Sequence, residues 1–295
     1  MQENRWGFLL LDKPEGLTSH TATARAARAL GFSKAGHAGT LDPLATGLML
    51  VGLGRATRLL EHLVGAPKSY EALVRFGLST STLDREGEVL QKVEPRIFSK
   101  DELEAALAPL RGEIIQRPPA ISAIKVDGVP LYRRVRRGEE VEAPLRTVTI
   151  HRLETTGYSS PDLNLTVECS SGTYIRSLAR DLGEALGVPA TLWGLRRTAC
   201  GPFSVREAAT LEELARGGDP GALKPPALMV YALPHIILEE EPLVRIIHGR
   251  VVECGQIQAE CADAAVFDKQ GNLAAICKVE GGCLSPRKVF WNFEE

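Results

Sequence analysis

The chain opens on an unbroken apolar run. GFLLLDKP (Gly7–Pro14) predicts a short buried strand ended by Lys13-Pro14, and LMLVGLG (Leu48–Gly54) a second one. Between them, Thr18 or Ser19 caps a helix that runs to Leu30 and stops at Gly31. RATRLLEHLVG places Leu59, Leu60 and Leu63 at helical spacing. SYEALVRFG reads as a strand, and LDREGEV as a turn at Gly87 into another. Ser99 with Glu102 forms a capping box for a helix to Leu110. Leu163, Leu165, Val167 and Cys169 alternate in LNLTVEC, the pattern of a half-buried strand. A helix from about Tyr174 to Leu186 is closed by Gly187 and Val188-Pro189, and Thr210 with Glu213 caps the last helix.

The pattern changes after ARGGDPGALKPP (Ala215–Pro226), the best linker by composition. From about Leu243 short apolar runs are separated by turns, with DKQGN as a hairpin signal. This predicts a small all-β domain at 241–295 behind a larger domain at 1–240. The larger part mixes strands and helices without βαβ alternation, so the expected class is α+β.

Composition narrows the function little. Hydrophobic and charged contents of 44% and 24% are ordinary, and a net charge of -2 announces no nucleic-acid partner. No apolar run is long enough to cross a membrane, and the first residues lack a signal-peptide pattern. A cytoplasmic protein is therefore expected, with its six cysteines (Cys169, Cys200, Cys254, Cys261, Cys277, Cys283) as reduced thiols. No CxxC pair, phosphate-binding glycine loop, dinucleotide fingerprint, HExxH or GxSxG occurs, so neither cofactor nor metal is expected.

Four stretches could carry chemistry. In GHAGTLDPLATG (Gly36–Gly47) a single carboxylate, Asp42, sits among glycines. It reads either as the N-cap of a helix begun by Pro43 or as a functional group on a loop that bends around a ligand. His37, five residues earlier, is an acid–base partner, a ring that stacks on a base, or a loop histidine without a role. Between Arg111 and Arg152 nine Lys/Arg face five Asp/Glu. Arg133, Arg134, Arg136 and Arg137 crowd beside Tyr132, either as phosphate contacts or as a solvated face. Tyr174 and Arg176 open a helix after SSGT, where side chains can face a cleft; Tyr70 in KSY serves a site or the core equally well. LRRT (Leu195–Thr198) reads as a loop carrying Arg196 and Arg197.

Six ordered stretches, LLLDKPEGLTS, GHAGTLDPLATG, KSYEA, PPAISAIKVDGVPLY, SGTYIRSLARDLG and LRRT, spread over residues 6 to 205, together resemble the TruB-type tRNA pseudouridine synthases. The resemblance implies a catalytic domain with a mixed, largely antiparallel sheet flanked by helices, and a C-terminal PUA-like domain. It implies isomerisation of uridine 55 in the tRNA T-loop, with Asp42 as nucleophile on a flipped-out nucleotide and no cofactor. It places His37 in the space the base leaves, Tyr70 under the flipped uracil, Arg176 as the partner that keeps Asp42 ionised, Tyr174 and Leu195 on the pocket wall, and Lys13 in a structural role. The implied partner is tRNA, for a monomer with no obligatory protein partner. Two departures stand out: YRRVRRG is richer in arginine than the family pattern, and residues 227–295 carry six Lys/Arg against ten Asp/Glu, unpromising for RNA docking. Two other readings are a guide-RNA-dependent H/ACA-type catalytic subunit and a non-catalytic tRNA-folding factor. Motifs that begin by residue 6 and an acidic tail favour the stand-alone bacterial type.

Overall fold

The computed structural model describes residues 5–122, 124–126, 128–135, 137–139, 141–217, 222–253 and 261–290. Among these, eight strands form the spine of the main sheet, in the order Ala209–Thr210, Gly7–Lys13, Thr46–Leu53, Ala190–Cys200, Lys68–Phe76, Asp162–Cys169, Arg146–Ser159, Gly112–Gln116. Ala209–Thr210 runs parallel to Gly7–Lys13, and Thr46–Leu53 to Ala190–Cys200; the other pairs along this spine are antiparallel. The protein is thus α+β with a mixed, largely antiparallel sheet.

The two kinds of strand differ for a reason visible in their patterns. Leu9 and Leu11 face helices Ser19–Ala29, Lys100–Leu107 and Ile175–Leu186, in the core that also holds Ala26, Leu107 and Leu178. Phe8 and Leu10 face the other way and pack with Phe267, Ile276 and Phe290 of the C-terminal region. A strand covered on both faces needs no polar alternation. Lys68–Phe76 and Asp162–Cys169 alternate because only one face is covered: Leu163, Leu165, Val167 and Cys169 are all buried.

Caps fall where the residue types demand. The Thr18 hydroxyl accepts from the Thr21 amide (3.1 Å), the Ser99/Glu102 and Thr210/Glu213 boxes both form, and Gly187 ends its helix at φ 71°. Several expectations need correction. Arg55–Gly65 is a 3-10 turn, Gly54–Leu59, followed by a single helical turn, Glu61–Val64. The helix capped by Thr210 is not the last: Glu240–Ile247 is a helix whose Leu243, Ile246 and Ile247 pack on the second sheet, so Leu243 does not open an all-β stretch. Three apolar positions at i, i+3 and i+4 are the helical signal there.

That second sheet has five strands among the described residues, in the order His235–Ile237, Cys261–Phe267, Leu273–Glu280, Cys283–Val289, Val252–Glu253. Trp6 stacks on Phe290 with centroids 5.1 Å apart, Arg58 donates to the Val289 carbonyl (3.0 Å), and Lys288 pairs with Glu61. No helix among the described residues is long and apolar enough to cross a membrane.

Candidate active site

Asp42 does not cap a helix. Its carbonyl accepts from the Ala45 amide (3.1 Å), closing a turn with Pro43 in second position, and the chain then enters the Thr46–Leu53 strand. Two groups hold this turn from behind. The Ser19 hydroxyl accepts from the Leu41 amide (2.8 Å) and donates to the Leu41 carbonyl (2.9 Å). The Lys13 ammonium, fully buried, donates to the carbonyls of Pro14 (2.9 Å), Leu17 (2.7 Å) and Pro43 (3.2 Å). Burial pushes the Lys13 pKa down to about 8 against the pull of Glu86, Asp42 and Glu15.

Opposite the turn, Arg176 projects from the first turn of helix Ile175–Leu186 with a side chain only 6% exposed. Its Nε lies 3.0 Å from one oxygen of Asp42, and Nη2 donates to the other at 3.4 Å. The same guanidinium donates to the Thr82 carbonyl (2.9 Å) and the Ile121 carbonyl (3.1 Å), and lies 3.6 Å from the carboxylate of buried Asp84. Asp84 is held in turn by the Thr82 hydroxyl (2.5 Å) and the Glu86 amide (3.1 Å). One side chain therefore joins the Asp42 turn, the Thr82–Asp84 loop and the segment at Ile121.

Arg176 is one of several influences on the charge of Asp42. Burial pushes the Asp42 carboxyl above its ordinary range; Arg176 opposes this, Asp84 adds to it, and Lys13 opposes it. Desolvation wins although the Asp42 side chain stays 37% exposed towards the cavity.

That cavity, about 270 Å³, is lined by Asp42, Tyr70, Tyr174, Arg176 and Leu195, so five of the sequence-selected residues meet in one place. Tyr70 sits in the Lys68–Phe76 strand; burial pushes its phenol up to about 12 against the opposing charge of Arg197, so it is neutral at pH 7. Tyr174 caps its helix through its backbone: its amide donates to Gln116 Oε1 (2.8 Å), and its carbonyl accepts from Gln116 Nε2 (3.1 Å). Arg146 stands 6.0 Å from the Tyr174 ring centroid.

His37 does not line this cavity. It lies on the Ala35–Ala38 strand and lines a separate groove against helix Ser19–Ala29. Burial lowers its pKa, and Arg197 and His20 lower it further, so the imidazole is neutral near pH 7. Of the arginine cluster, Arg133 and Arg134 lie on a short helix, Leu131–Val135, away from the cavity; Arg134 pairs with Glu139 at 2.6 Å, and Arg137 is exposed. Arg136 lies outside the described residues.

Three contributors were missed in the sequence. LRRT is not a loop but part of the Ala190–Cys200 strand, and Arg197 is 1% exposed. Its Nε donates to the Leu48 carbonyl (2.6 Å) and its Nη2 to the Gly39 carbonyl (3.0 Å), so it holds the start of the Asp42 loop. Asp84 and Gln116 gave no local signal, since each acts on a partner more than 50 residues away. Among the described residues no group of three His, Cys, Asp or Glu could hold a metal ion.

Comparison with known proteins gives a coherent picture. Residues 27–175 match the model of the TruB family pseudouridylate synthase N-terminal domain, and residues 176–219 that of the tRNA pseudouridylate synthase B C-terminal domain. The chain is 44% identical to a tRNA pseudouridine synthase B from Arthrobacter sp. (strain FB24), over 96% of each chain. It is 45% identical to a protein of the same name from Aromatoleum aromaticum, over 96% of this chain and 92% of that one. Among solved structures it is similar to one of an H/ACA RNP bound to a substrate RNA containing 2'-deoxyuridine. There the identity is 26% and the TM-score 0.75, over 99% of this chain and 87% of the other. A Cbf5-Nop10-Gar1 complex matches at 28% identity and TM-score 0.75, over 98% and 86%.

Proposed function

The chain belongs to the TruB family of pseudouridylate synthases, and from that premise we propose that it converts uridine 55 of the tRNA T-loop to pseudouridine with Asp42 as the nucleophile. The observation that carries this reading is the Asp42–Arg176 pair, set at the wall of a cavity that also holds Tyr70, Tyr174 and Leu195. Substrate and product are isomers, so no co-reactant is consumed. The C1′–N1 bond breaks, the uracil turns, a C1′–C5 bond forms, the C5 proton leaves and N1 gains one.

The residues divide the work as follows. The target nucleotide leaves the loop stack at a cost of a few kcal/mol, roughly the price of base flipping in general. Tyr70 lies under the uracil as a neutral phenol, able to stack and to assist the proton leaving C5. Asp42 attacks the uracil ring or the ribose C1′; on either route it must be ionised and stripped of water, and Arg176 orients it while burial desolvates it. Tyr174 and Leu195 wall the pocket, and His37 takes the space the flipped base leaves. Arg133, Arg134, Arg136 and Arg137 contact the RNA backbone. Residues 1–240 form the catalytic domain and residues 241–295 a PUA-like domain. The protein works as a monomer on tRNA, without an obligatory protein partner.

Purified protein with an unmodified tRNA transcript and no guide RNA should yield pseudouridine at position 55. Asp42→Asn should abolish product while binding stays within several-fold. Product from that variant overturns the role of Asp42. Product only with added guide RNA favours the particle-type reading that the H/ACA neighbours raise, and binding without product from the wild type favours the folding-factor reading.

A further inference from the structure

Two buried cations line the Asp42 cavity, Lys68 and Arg197, and among the described residues neither pairs with a carboxylate. A buried charge without a counter-charge is costly, so its hydrogen bonds have to be filled. The Lys68 ammonium is taken up by the carbonyls of Ala66 (2.7 Å) and Val64 (3.3 Å). A guanidinium has five N–H donors in a rigid fork, and the carbonyls of Leu48 and Gly39 occupy only Nε and Nη2 of Arg197. Those two bonds fix the fork and leave donors over.

Strand register supplies the partner. Arg197 and Tyr70 stand directly opposite each other where Ala190–Cys200 pairs antiparallel with Lys68–Phe76. Opposite side chains share one face of the sheet, with Cβ atoms about 4.5–5.5 Å apart. Both residues line the cavity. The guanidinium bears on the phenol as a charge and as a hydrogen-bond donor. Cys169 and Cys200 also bear on it, but burial pushes both thiols up, so they are neutral near pH 7. Lys68, Lys13 and His37 feel the same guanidinium, and each is driven towards its neutral form by it.

We propose that Arg197 is the positioning residue for Tyr70, holding its phenol oxygen where that oxygen takes the proton that leaves C5 of the uracil. This rests on the reading that Tyr70 lies under a uracil being isomerised. Once the C1′–C5 bond has formed, C5 carries both the sugar and its hydrogen. The C5–H electron pair becomes the C5–C6 double bond, and the C6–N1 double bond yields its pair to N1. The phenol first releases its own proton to water, and that proton ends on N1; the C5 proton then passes to the phenolate. A cation in contact with the oxygen favours the phenolate, the form that accepts the proton. The Leu48 and Gly39 carbonyls hold the fork from its other side, so the same bonds that fix the Asp42 loop also aim Arg197 at the ring.

Two measurements test this, one of them independent of turnover. With 3,5-difluorotyrosine in place of Tyr70, a ring more acidic than the native phenol, fluorine NMR reads its ionisation directly. In Arg197→Met that ring should titrate about one pH unit higher or more, as expected when a close opposite charge is removed. The second measurement is the single-turnover rate on an unmodified T-arm stem-loop. Arg197→Lys keeps the charge but loses the fork, and its rate should fall about tenfold or more while Kd stays within several-fold of the wild type's. A stem-loop with 5-deuterouridine as the target should slow Arg197→Lys by a larger factor than it slows the wild type, because removal of the C5 proton has become slower. In a Tyr70→Phe background, Arg197→Lys should add no further loss. If Arg197→Met does not fold, the rate and isotope measurements on Arg197→Lys decide. A ring that titrates alike beside arginine and methionine overturns the proposal, and so does an unchanged rate in Arg197→Lys. A rate loss that persists in full in Tyr70→Phe, or that leaves the isotope effect where it was, also overturns it and leaves Arg197 only as a support of the Asp42 loop. A wild type that makes no pseudouridine defeats the activity reading, and the fluorine titration still decides whether Arg197 holds the phenol.

Discussion

Arg176 faces two carboxylates at once, Asp42 at 3.0 Å and Asp84 at 3.6 Å, and only the first also faces the cavity. Asp84 is spent on position: it is buried, hydrogen-bonded to its own loop, and holds the guanidinium from behind. Its charge also raises the pKa of Asp42. On the proposed mechanism the active form of Asp42 is the carboxylate, so activity should fall as pH drops through its raised pKa. The acid limb of the rate profile should therefore lie above the ordinary carboxylate value of about 4. Asp84→Asn removes a negative charge near Asp42, so it should lower kcat by loosening Arg176 and move the acid limb to lower pH. A limb that stays in place in this variant would remove Asp84 from the electrostatics of the site.

The Asp42 loop is built by close approach between elements. Gly47 has φ 101°, and a Cβ there would fall on the Arg197 carbonyl and lie 2.8 Å from its amide nitrogen, where Thr46–Leu53 meets Ala190–Cys200 in parallel. Gly47→Ala should cost more than about 1 kcal/mol of stability, since the conformation and the space are both denied, and should reduce activity by shifting the Asp42 turn; urea denaturation checks the first. Helices capped by Thr18, Ser99 and Thr210 were legible because a cap is a local hydrogen bond between residues three apart. The strand through Leu195–Thr198 was not, because two adjacent arginines suggest solvent. Arg197 is buried all the same, since the Leu48 and Gly39 carbonyls, about 150 residues away in sequence, satisfy it.

At the scale of the molecule, the two sheets share a core. Phe8, Leu10 and Leu50 of the first pack with Phe267, Ile276 and Phe290 of the second, and Arg55 and Arg58 donate to the Phe290 and Val289 carbonyls. Calorimetry should show one cooperative unfolding transition; two separated transitions would mean that the β region unfolds alone. Net charge is -2, yet the 111–152 stretch carries an excess of four positive charges. tRNA binding should weaken steeply with salt, and neutralising Arg133 and Arg137 together should flatten that slope by about two. A slope unchanged by the double variant would place the phosphate contacts elsewhere.

Local chemistry and order along the chain determined a good deal by themselves: the α+β class, most caps and alternating strands, and the residues that gather around Asp42. Those features depend on near neighbours or on motifs that can be matched one by one. Tertiary structure decided what Asp42 is for the fold, a turn residue rather than a cap, and that burial outweighs Arg176 in shifting its pKa. It also decided that Lys13, Asp84, Gln116 and Arg197 hold the site from behind, and that His37 opens onto a groove of its own. Burial and desolvation belong to no residue's neighbours in sequence. They arise only when segments far apart in the chain close over the same few atoms and exclude water from them.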